Sequence, residues 1–359
     1  MNQPTLGQLE ITPWHWVIFI LCVLFFLALD LGVFHRKAHT VRFKEALGWT
    51  SVWVTLSFLF GLFLAPATVE GWTRKETVEF ITGYIIELSL SMDNVFVIAL
   101  IFAYFRVPAQ YQHRVLFWGI MGALIMRGVM IAAGAALVQR FQWTLYIFGA
   151  FLFITGIRML FVADEGVKPE KNPVLRLARK CMPVTRDFEG QKFIGRLNNR
   201  IALTPLALVL LVVETTDLVF AVDSIPAIFA VTTKPFIIFT SNVFAILGLR
   251  SLYFVLAGMI DYFRYLKVGL SLVLAFIGAK MLLAPHEAEA KWFQVKIDTN
   301  VSLLIVASII LTSIVFSVVV TQREKRPGDQ PPKSDASIDE DKPEAKAEPS
   351  GADESAGKD

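Results

Sequence analysis

The chain has 359 residues, of which 55% are hydrophobic and 30 are phenylalanine, and its mean hydropathy is +0.57. This composition excludes a water-soluble protein of this size and predicts an all-α membrane protein that crosses the bilayer several times. The formal net charge of +3 says little, because the charges are segregated along the chain. The two cysteines show no metal-binding spacing. We also expect no nucleic-acid partner.

Nine apolar runs are long enough to cross a membrane. They lie near residues 13–34, 46–65, 76–105, 115–138, 143–162, 204–232, 236–260, 266–284 and 299–321. The first run follows no basic segment and contains no small-residue cleavage site, so we expect a retained helix and not a signal peptide. The loops on one side of this arrangement hold 20 Lys and Arg residues, and those on the other side hold six. The positive-inside rule therefore predicts an N-terminus outside and a C-terminus in the cytoplasm.

The sequence divides into a membrane domain, residues 1–322, and a polar tail, residues 323–359. Within the membrane domain, residues 163–203 carry nine Lys and Arg residues and are expected to form a basic cytoplasmic loop. The tail consists mainly of Pro, Glu, Asp, Lys, Ser and Ala, which predicts a disordered cytoplasmic segment. The lipid bilayer is an expected partner of the membrane domain, and the oligomeric state stays open.

Three short motifs occur twice, in the same order. Asp93 in SMDNVF corresponds to Asp217 in TTDLVF, 124 residues later. Arg127 in LIMR corresponds to Arg250 in LGLR, at an offset of 123, and GIRML corresponds to GAKML at an offset of 122. Three weak motifs at nearly one offset indicate an internal repeat.

The repeated unit contains three helices, so the second copy enters the membrane from the opposite side. This predicts an inverted 3+3 repeat in which helices three to five, residues 76–162, correspond to helices six to eight, residues 204–284. Repeats of this kind form a substrate site near the bilayer midplane and move against each other to alternate access to it.

Acidic side chains are concentrated in the third and sixth spans. They are Glu87, Asp93, Glu214, Asp217 and Asp223. A charged side chain at the bilayer centre costs at least ~2.5–3.5 kcal/mol on insertion scales, so these acids need a partner, a water-filled cavity or a bound cation. Arg127 and Arg250 lie near the centres of their spans and are expected to fasten the acids. If all are ionised, two arginines leave three of the five negative charges uncompensated, and this remainder favours a cation.

Every candidate ligand at this depth is an oxygen donor, including the amide of Asn94. Such hard ligands suit Mg²⁺, Ca²⁺ or Mn²⁺ better than Cu(I) or Zn²⁺. The predicted metal ligands are therefore Glu87, Asp93, Asn94, Glu214, Asp217 and Asp223. Asp223 would face the others if Pro226 breaks its helix. Two alternatives stay open, since the acids could relay protons without a metal or could form a purely structural network with the arginines.

The same stretches identify the chain as resembling the TerC family of integral membrane proteins. The resemblance rests on GYIIE at 83–87 with MDNVFV at 92–97, on FAVDSIPAIFAVT at 220–232, and on TSNVFAILGLR at 240–250. It implies a nine-helix fold in a bacterial inner membrane, a relation to amino-acid and cation exporters, and Mn²⁺ efflux through the five acids. Other family members are linked to tellurite resistance and to membrane-protein biogenesis in plastids.

We therefore predict an inner-membrane exporter of a divalent metal, Mn²⁺, that works by alternating access and exchanges protons on the same carboxylates. The alternatives are a non-transport role in membrane-protein biogenesis or redox and stress responses, or export of another cation, such as a tellurium-related or amino-acid substrate. The sequence contains no nucleophile with a base, no phosphate-binding loop and no cofactor motif, so neither an enzyme nor a bound cofactor is expected.

Overall fold

The structure is a computed structural model that describes residues 9–29, 43–161, 172–185, 187–197, 200–256, 266–284, 294–295 and 297–324. Almost all of this part of the chain is helical. Its helices are α1 Pro13–Leu29, α2 Phe43–Leu59, α3 Ala65–Thr68, α4 Arg74–Tyr104, α5 Ala109–Arg140, α6 Thr144–Phe161, α7 Pro173–Cys181, α8 Pro205–Phe229, α9 Pro235–Leu256, α10 Leu266–Leu283 and α11 Thr299–Glu324. Strands β1 Ile194–Leu197 and β2 Arg200–Leu203 form one antiparallel pair.

Eight helices of the described chain are long and apolar enough to cross a membrane. Helix α2, a π-helical turn at Phe60–Leu64 and α3 together make one of them, Phe43–Thr68. Helix α1 is equally apolar but has 17 described residues, and residues 30–34 of the predicted first span lie outside the described chain. A polytopic helical membrane protein is thus confirmed, while the ninth span and the orientation of the termini stay predictions.

Two local features add detail to these expectations. The segment 163–203 contains helix α7 and the β1–β2 pair within an otherwise helical chain. Helix α8 continues through Pro226 as far as Phe229, because the missing N–H of one proline removes a single hydrogen bond and does not end the helix, so the condition under which Asp223 would turn toward the other acids is not met. The predicted tail at 323–359 lies outside the described chain from residue 325 onward.

Helices α6 and α10 pack with their backbones in direct contact, through a glycine on each helix. A Cβ on Gly156 would lie 2.8 Å from the carbonyl oxygen of Ser271, and a Cβ on Gly278 would lie 2.7 Å from that of Gly149. Gly156 and Gly278 are 122 residues apart, and so are Gly149 and Ser271. A shift of 122 residues therefore turns each of these contacts into the other. This supports a two-fold relation between the two predicted repeat units.

The middle of the molecule is formed by α4, α5, α8 and α9. Helix α4 packs along α9, while α5 packs against both α8 and α9. Helix α9 is the most buried of the eight candidate spans, so its polar side chains face protein and not lipid. These four helices hold all the residues that the sequence assigned to a cation site.

Candidate cation site

Arg127 on α5 is the centre of a buried charge network. Its side chain is 2% exposed, and its guanidinium forms an ion pair with the carboxylate of Glu87 on α4, which is 1% exposed. On the other side, Nη2 of Arg127 lies 3.1 Å from Oδ1 of Asp217, on α8, and Nε lies 3.4 Å from Oδ2. One arginine thus joins two acids that come from different predicted repeat units.

Two neutral side chains complete the surroundings of this guanidinium. Nη1 of Arg127 donates to Oγ of Ser224 at 3.4 Å and to Oδ1 of Asn242 at 3.5 Å. Both residues are buried, and they lie on α8 and α9. We define Glu87, Arg127, Asp217, Ser224 and Asn242 as the central network.

Glycine residues on α5 allow α8 to approach the site closely. A Cβ on Gly119 would lie 3.3 Å from Val213, and a Cβ on Gly122 would overlap the carboxylate of Glu214. The Glu214 carboxylate therefore rests on the backbone of α5, less than two turns from Arg127. Glu214 and Asp217 are three residues apart and share a face of α8, as the helical spacing predicts.

The remaining predicted residues lie on the same four helices. Asn94 is buried on α4, where it shares a face with Glu87, and Asp93 is half-buried beside it. Arg250 is buried on α9, and Asp223 is half-buried on α8, next to Ser224. The described contacts bring Glu87, Asp217 and Arg127 together directly.

Several polar atoms in this region are buried without a hydrogen-bonding partner among the described residues. They are Oε2 of Glu87, the hydroxyl of Ser91 and Nδ2 of Asn242. Buried polar groups are normally paired, because leaving one without a partner costs about 1–3 kcal/mol. Unsatisfied atoms next to two carboxylates indicate a place that is built to accept a ligand or water.

The described residues contain no set of three His, Cys, Asp or Glu side chains that is arranged to hold a metal ion. In the central network Glu87 and Asp217 share the guanidinium of Arg127. The positive charge that these two acids require is therefore supplied by the protein itself in this arrangement. A divalent cation could use both carboxylates only if the guanidinium gave way.

A second network of charges lies at the start of α4, on the side that the distribution of loop charges predicts to face away from the cytoplasm. Nζ of Lys234 lies 2.5 Å from Oε1 of Glu76 and 3.3 Å from Oε2 of Glu79. The hydroxyl of Thr232 donates to the same Oε2 of Glu79 at 2.8 Å, and the backbone N–H of Thr73 donates to Glu76 at 2.8 Å. We call these five residues the outer network.

Sequence reasoning missed seven residues of these two networks: Ser224 and Asn242 in the central network, and Thr73, Glu76, Glu79, Thr232 and Lys234 in the outer network. A signal existed for Asn242, which is an amide in the middle of an apolar span, and for Ser224, which follows Asp223 directly. Glu76 and Glu79 lie near the start of a span, where acids are usually exposed helix-terminal residues. Their burial depends on Lys234, more than 150 residues later, and no local pattern could have shown it.

Comparison with known proteins agrees with this membrane architecture. The model of the integral membrane protein TerC family matches residues 72–325. An uncharacterized membrane protein of Myxococcus xanthus, STKORF319, is 50% identical over 319 residues, which cover 88% of this chain and 94% of that protein. No solved structure matches the chain.

Two further relatives carry a descriptive name. The protein Alx of Salmonella typhi, named as a proposed membrane-bound redox modulator, is 43% identical over 88% of this chain and 97% of its own length. Alx of Escherichia coli K12, with the same name, is 42% identical over the same shares. The family match and these relatives together show that the chain belongs to the TerC family of integral membrane proteins.

Proposed function

We propose that this protein exports a divalent metal ion, Mn²⁺, across the bacterial inner membrane through a site at the central network. The observation that carries the proposal is that Glu87 on α4 and Asp217 on α8 both contact one buried positive group, the guanidinium of Arg127. Two carboxylates held around one positive charge in a buried position form an environment that attracts cations. Arg127 supplies the positive charge between the two carboxylates when no metal is bound.

The chemistry of the surrounding side chains favours a hard divalent ion. Carboxylates, the amide of Asn94 and the hydroxyl of Ser91 offer only oxygen at the site, which suits Mn²⁺, Mg²⁺ and Ca²⁺. The further acids Asp93, Glu214 and Asp223 supply the negative charge that a dication needs beyond one arginine. In this proposal Asp93, Glu214 and Asp217 are the first ligands, and Glu87, Asn94 and Asp223 complete the set.

Alternating access follows from the origin of the ligands. Glu87 belongs to the first predicted repeat unit and Asp217 to the second, so any motion of one unit against the other changes the distance between them. The repeat also relates Asp217 to Asp93 and Arg127 to Arg250. We therefore expect Asp93 and Arg250 to act as the counterpart pair in the other half.

Protons are expected to exchange for the metal on the same carboxylates. A buried acid that releases a dication is stabilised by taking up a proton, so export would be driven by proton entry. Reconstituted vesicles with an inward proton gradient should then move Mn²⁺ faster than vesicles without one. Equal rates in both would remove proton coupling from the proposal.

The test of the function is Mn²⁺ flux in proteoliposomes that contain the purified full chain. Wild type should move Mn²⁺, and excess Mg²⁺ or Ca²⁺ should compete poorly. Asp93→Asn, which keeps the shape and removes the charge, should abolish the flux while the protein still reaches the membrane in normal amount. A well-folded wild type that moves no Mn²⁺ would contradict the proposal, and competition by an amino acid or tellurium oxyanion would redirect it to another substrate.

The names of the relatives point to redox modulation as a second candidate function. The chain has two cysteines, Cys22 on α1 and Cys181 at the end of α7, and both are exposed and not in a disulfide. Thiol chemistry would fail in a Cys22→Ser, Cys181→Ser double variant, whereas metal export would be unchanged. A role in membrane-protein biogenesis is distinguished by Asp93→Asn, which would lower the amount of protein if the acids were purely structural.

A further inference from the structure

The guanidinium of Arg127 and a divalent cation cannot both stay on Glu87 and Asp217. All three side chains lie in a buried region, where like charges at short distance repel strongly because little water screens them. Binding of a metal to the two carboxylates therefore requires that Arg127 lose most of its contact with them. A buried guanidinium released in this way needs other hydrogen-bond acceptors close by.

Two acceptors are already positioned for this. Oγ of Ser224 and Oδ1 of Asn242 lie 3.4 Å and 3.5 Å from Nη1 of Arg127, the nitrogen that also faces Glu87. Both distances exceed the usual range for such bonds, so a shift of roughly 0.5 Å would bring Nη1 into normal contact with either oxygen. In the present arrangement the two acids hold Arg127 more strongly than these two side chains do.

The chemistry of the two acceptors fits a temporary position for a guanidinium. Both oxygens are neutral, so they can hold Arg127 without adding a charge that competes for the metal. Both residues are almost fully buried, and Nδ2 of Asn242 has no hydrogen-bonding partner in the described part of the chain. The Asn242 side chain is therefore not committed to another contact that would prevent it from following the arginine.

We propose that Ser224 and Asn242 are positioning residues that receive the Arg127 guanidinium when a divalent cation takes Glu87 and Asp217. This inference rests on the proposed function. Arg127 then acts as an internal competitor of the substrate, and the two neutral side chains set how readily it yields. They influence metal affinity through the arginine and need not touch the metal.

The test is the dissociation constant of Mn²⁺ for the purified full chain, obtained from the EPR signal of free Mn²⁺. Asn242→Leu and Ser224→Ala remove the acceptors, so each should raise the dissociation constant about 10-fold, which corresponds to ~1.4 kcal/mol. Ser89→Ala is the matched control, because that buried hydroxyl on α4 donates to its own helix at the carbonyl of Ile85. This control should bind Mn²⁺ as wild type does.

A second experiment, in protein that carries Arg127→Gln, tests whether Asn242 acts through the arginine or only through its packing. In Arg127→Gln the guanidinium is gone, so Asn242→Leu should no longer change the affinity; an equal loss in both backgrounds would overturn the proposal. If Arg127→Gln does not fold, Ser224→Thr takes its place, because it keeps the hydroxyl and should bind nearly as well as wild type. Equal losses in Ser224→Thr and Ser224→Ala would mean that volume and not the acceptor matters.

The outcomes also separate this inference from the proposed function. Wild type that binds no Mn²⁺ would contradict both. Wild type that binds Mn²⁺, together with Asn242→Leu and Ser224→Ala variants that bind it equally well, would contradict only the positioning role of Ser224 and Asn242.

Discussion

The central and outer networks both connect α4 to the second half of the chain through two acids and one basic side chain. They differ in how completely their polar atoms are satisfied. In the outer network the carboxylates of Glu76 and Glu79 receive bonds from Lys234 and from threonines on either side. In the central network Oε1 of Glu87 contacts Arg127, whereas Oε2 of Glu87, the hydroxyl of Ser91 and Nδ2 of Asn242 have no hydrogen-bonding partner among the described residues.

Buried charges can therefore serve two purposes in one protein: they can hold helices together, or they can bind a ligand. A fully bonded buried ion pair fixes the position of helices but offers nothing to a ligand. An incompletely bonded one keeps acceptor capacity that a cation can use. We therefore interpret the outer network as a structural link between α4 and the start of α9, and the central network as the functional site.

Among the variants that compare the two networks, Asp217→Asn should reduce transport the most. Loss of one charged ligand of the proposed site should lower Mn²⁺ flux on the order of 100-fold, since bonds to charged groups are each worth about 1.5–3 kcal/mol. Flux into proteoliposomes at matched protein content measures it. Asp187→Asn, an exposed acid outside the spans, is the control and should transport normally. A normal flux in Asp217→Asn would remove the central network from the transport path.

Removal of the basic group from the outer network should instead lower stability. Lys234→Met leaves Glu76 without an ammonium and Glu79 with only Lys75, whose Nζ lies 3.9 Å from Oε1 of Glu79 and whose side chain is 70% exposed. Breaking a buried pair costs about 3 kcal/mol; the Lys234 ammonium is 28% exposed, so the loss should be nearer ~2 kcal/mol. Thermal unfolding in detergent measures it, with Lys44→Met as a control at an exposed lysine at the start of α2. Unchanged stability, or lost flux in protein that is still folded, would break the distinction between the networks.

A pair of glycine variants tests the predicted repeat. Gly156→Ala and Gly278→Ala each push a methyl group into the backbone of the facing helix, and such overpacking costs typically about 1–3 kcal/mol. Because the two contacts are equivalent under the repeat, we expect equal losses in thermal stability. Gly48→Ala, where a Cβ meets nothing within 4 Å, should cause no loss. Clearly unequal losses at the two positions would argue against the two-fold relation.

The smallest expected effect concerns Glu214. Gly122→Ala places a methyl group where the Glu214 carboxylate rests, so the acid must move and Mn²⁺ flux should fall about 10-fold, the equivalent of ~1.4 kcal/mol. Gly128→Ala on the same helix is the control, since its Cβ would make only an ordinary 3.4 Å contact with Phe239. Equal flux in both variants would exclude Glu214 from the site.

Much of the fold could be predicted from hydropathy alone, because each span must satisfy its own backbone hydrogen bonds and be apolar over its length. The start of α5 at Ala109 could not, since residues 109–114 are polar and helical beyond the apolar run. The sequence also left open whether Pro226 breaks its helix, since a proline removes only one helix bond and the packing of α8 against α4 and α5 depends on distant segments.

The site could be predicted only as a set of residues at similar depth. The sequence placed Arg127 near acids, but which acids it faces depends on how α4, α5 and α8 are rotated about their axes. Hydropathy carries little information on rotation when a helix is apolar on every side. The roles of Asn242 and Lys234 depend in the same way on contacts between segments that lie more than 100 residues apart.

We expect the cation to bind at the central network and not at the outer one. The most direct measurement is the dissociation constant of Mn²⁺ for purified wild type, Asp217→Asn and Glu79→Gln, each removing one negative charge from one network. We predict that Asp217→Asn weakens binding ~30-fold or more, while Glu79→Gln stays within about 3-fold of wild type. Wild-type affinity in Asp217→Asn, or an equal loss of affinity in Glu79→Gln, would contradict the assignment of the cation site to the central network.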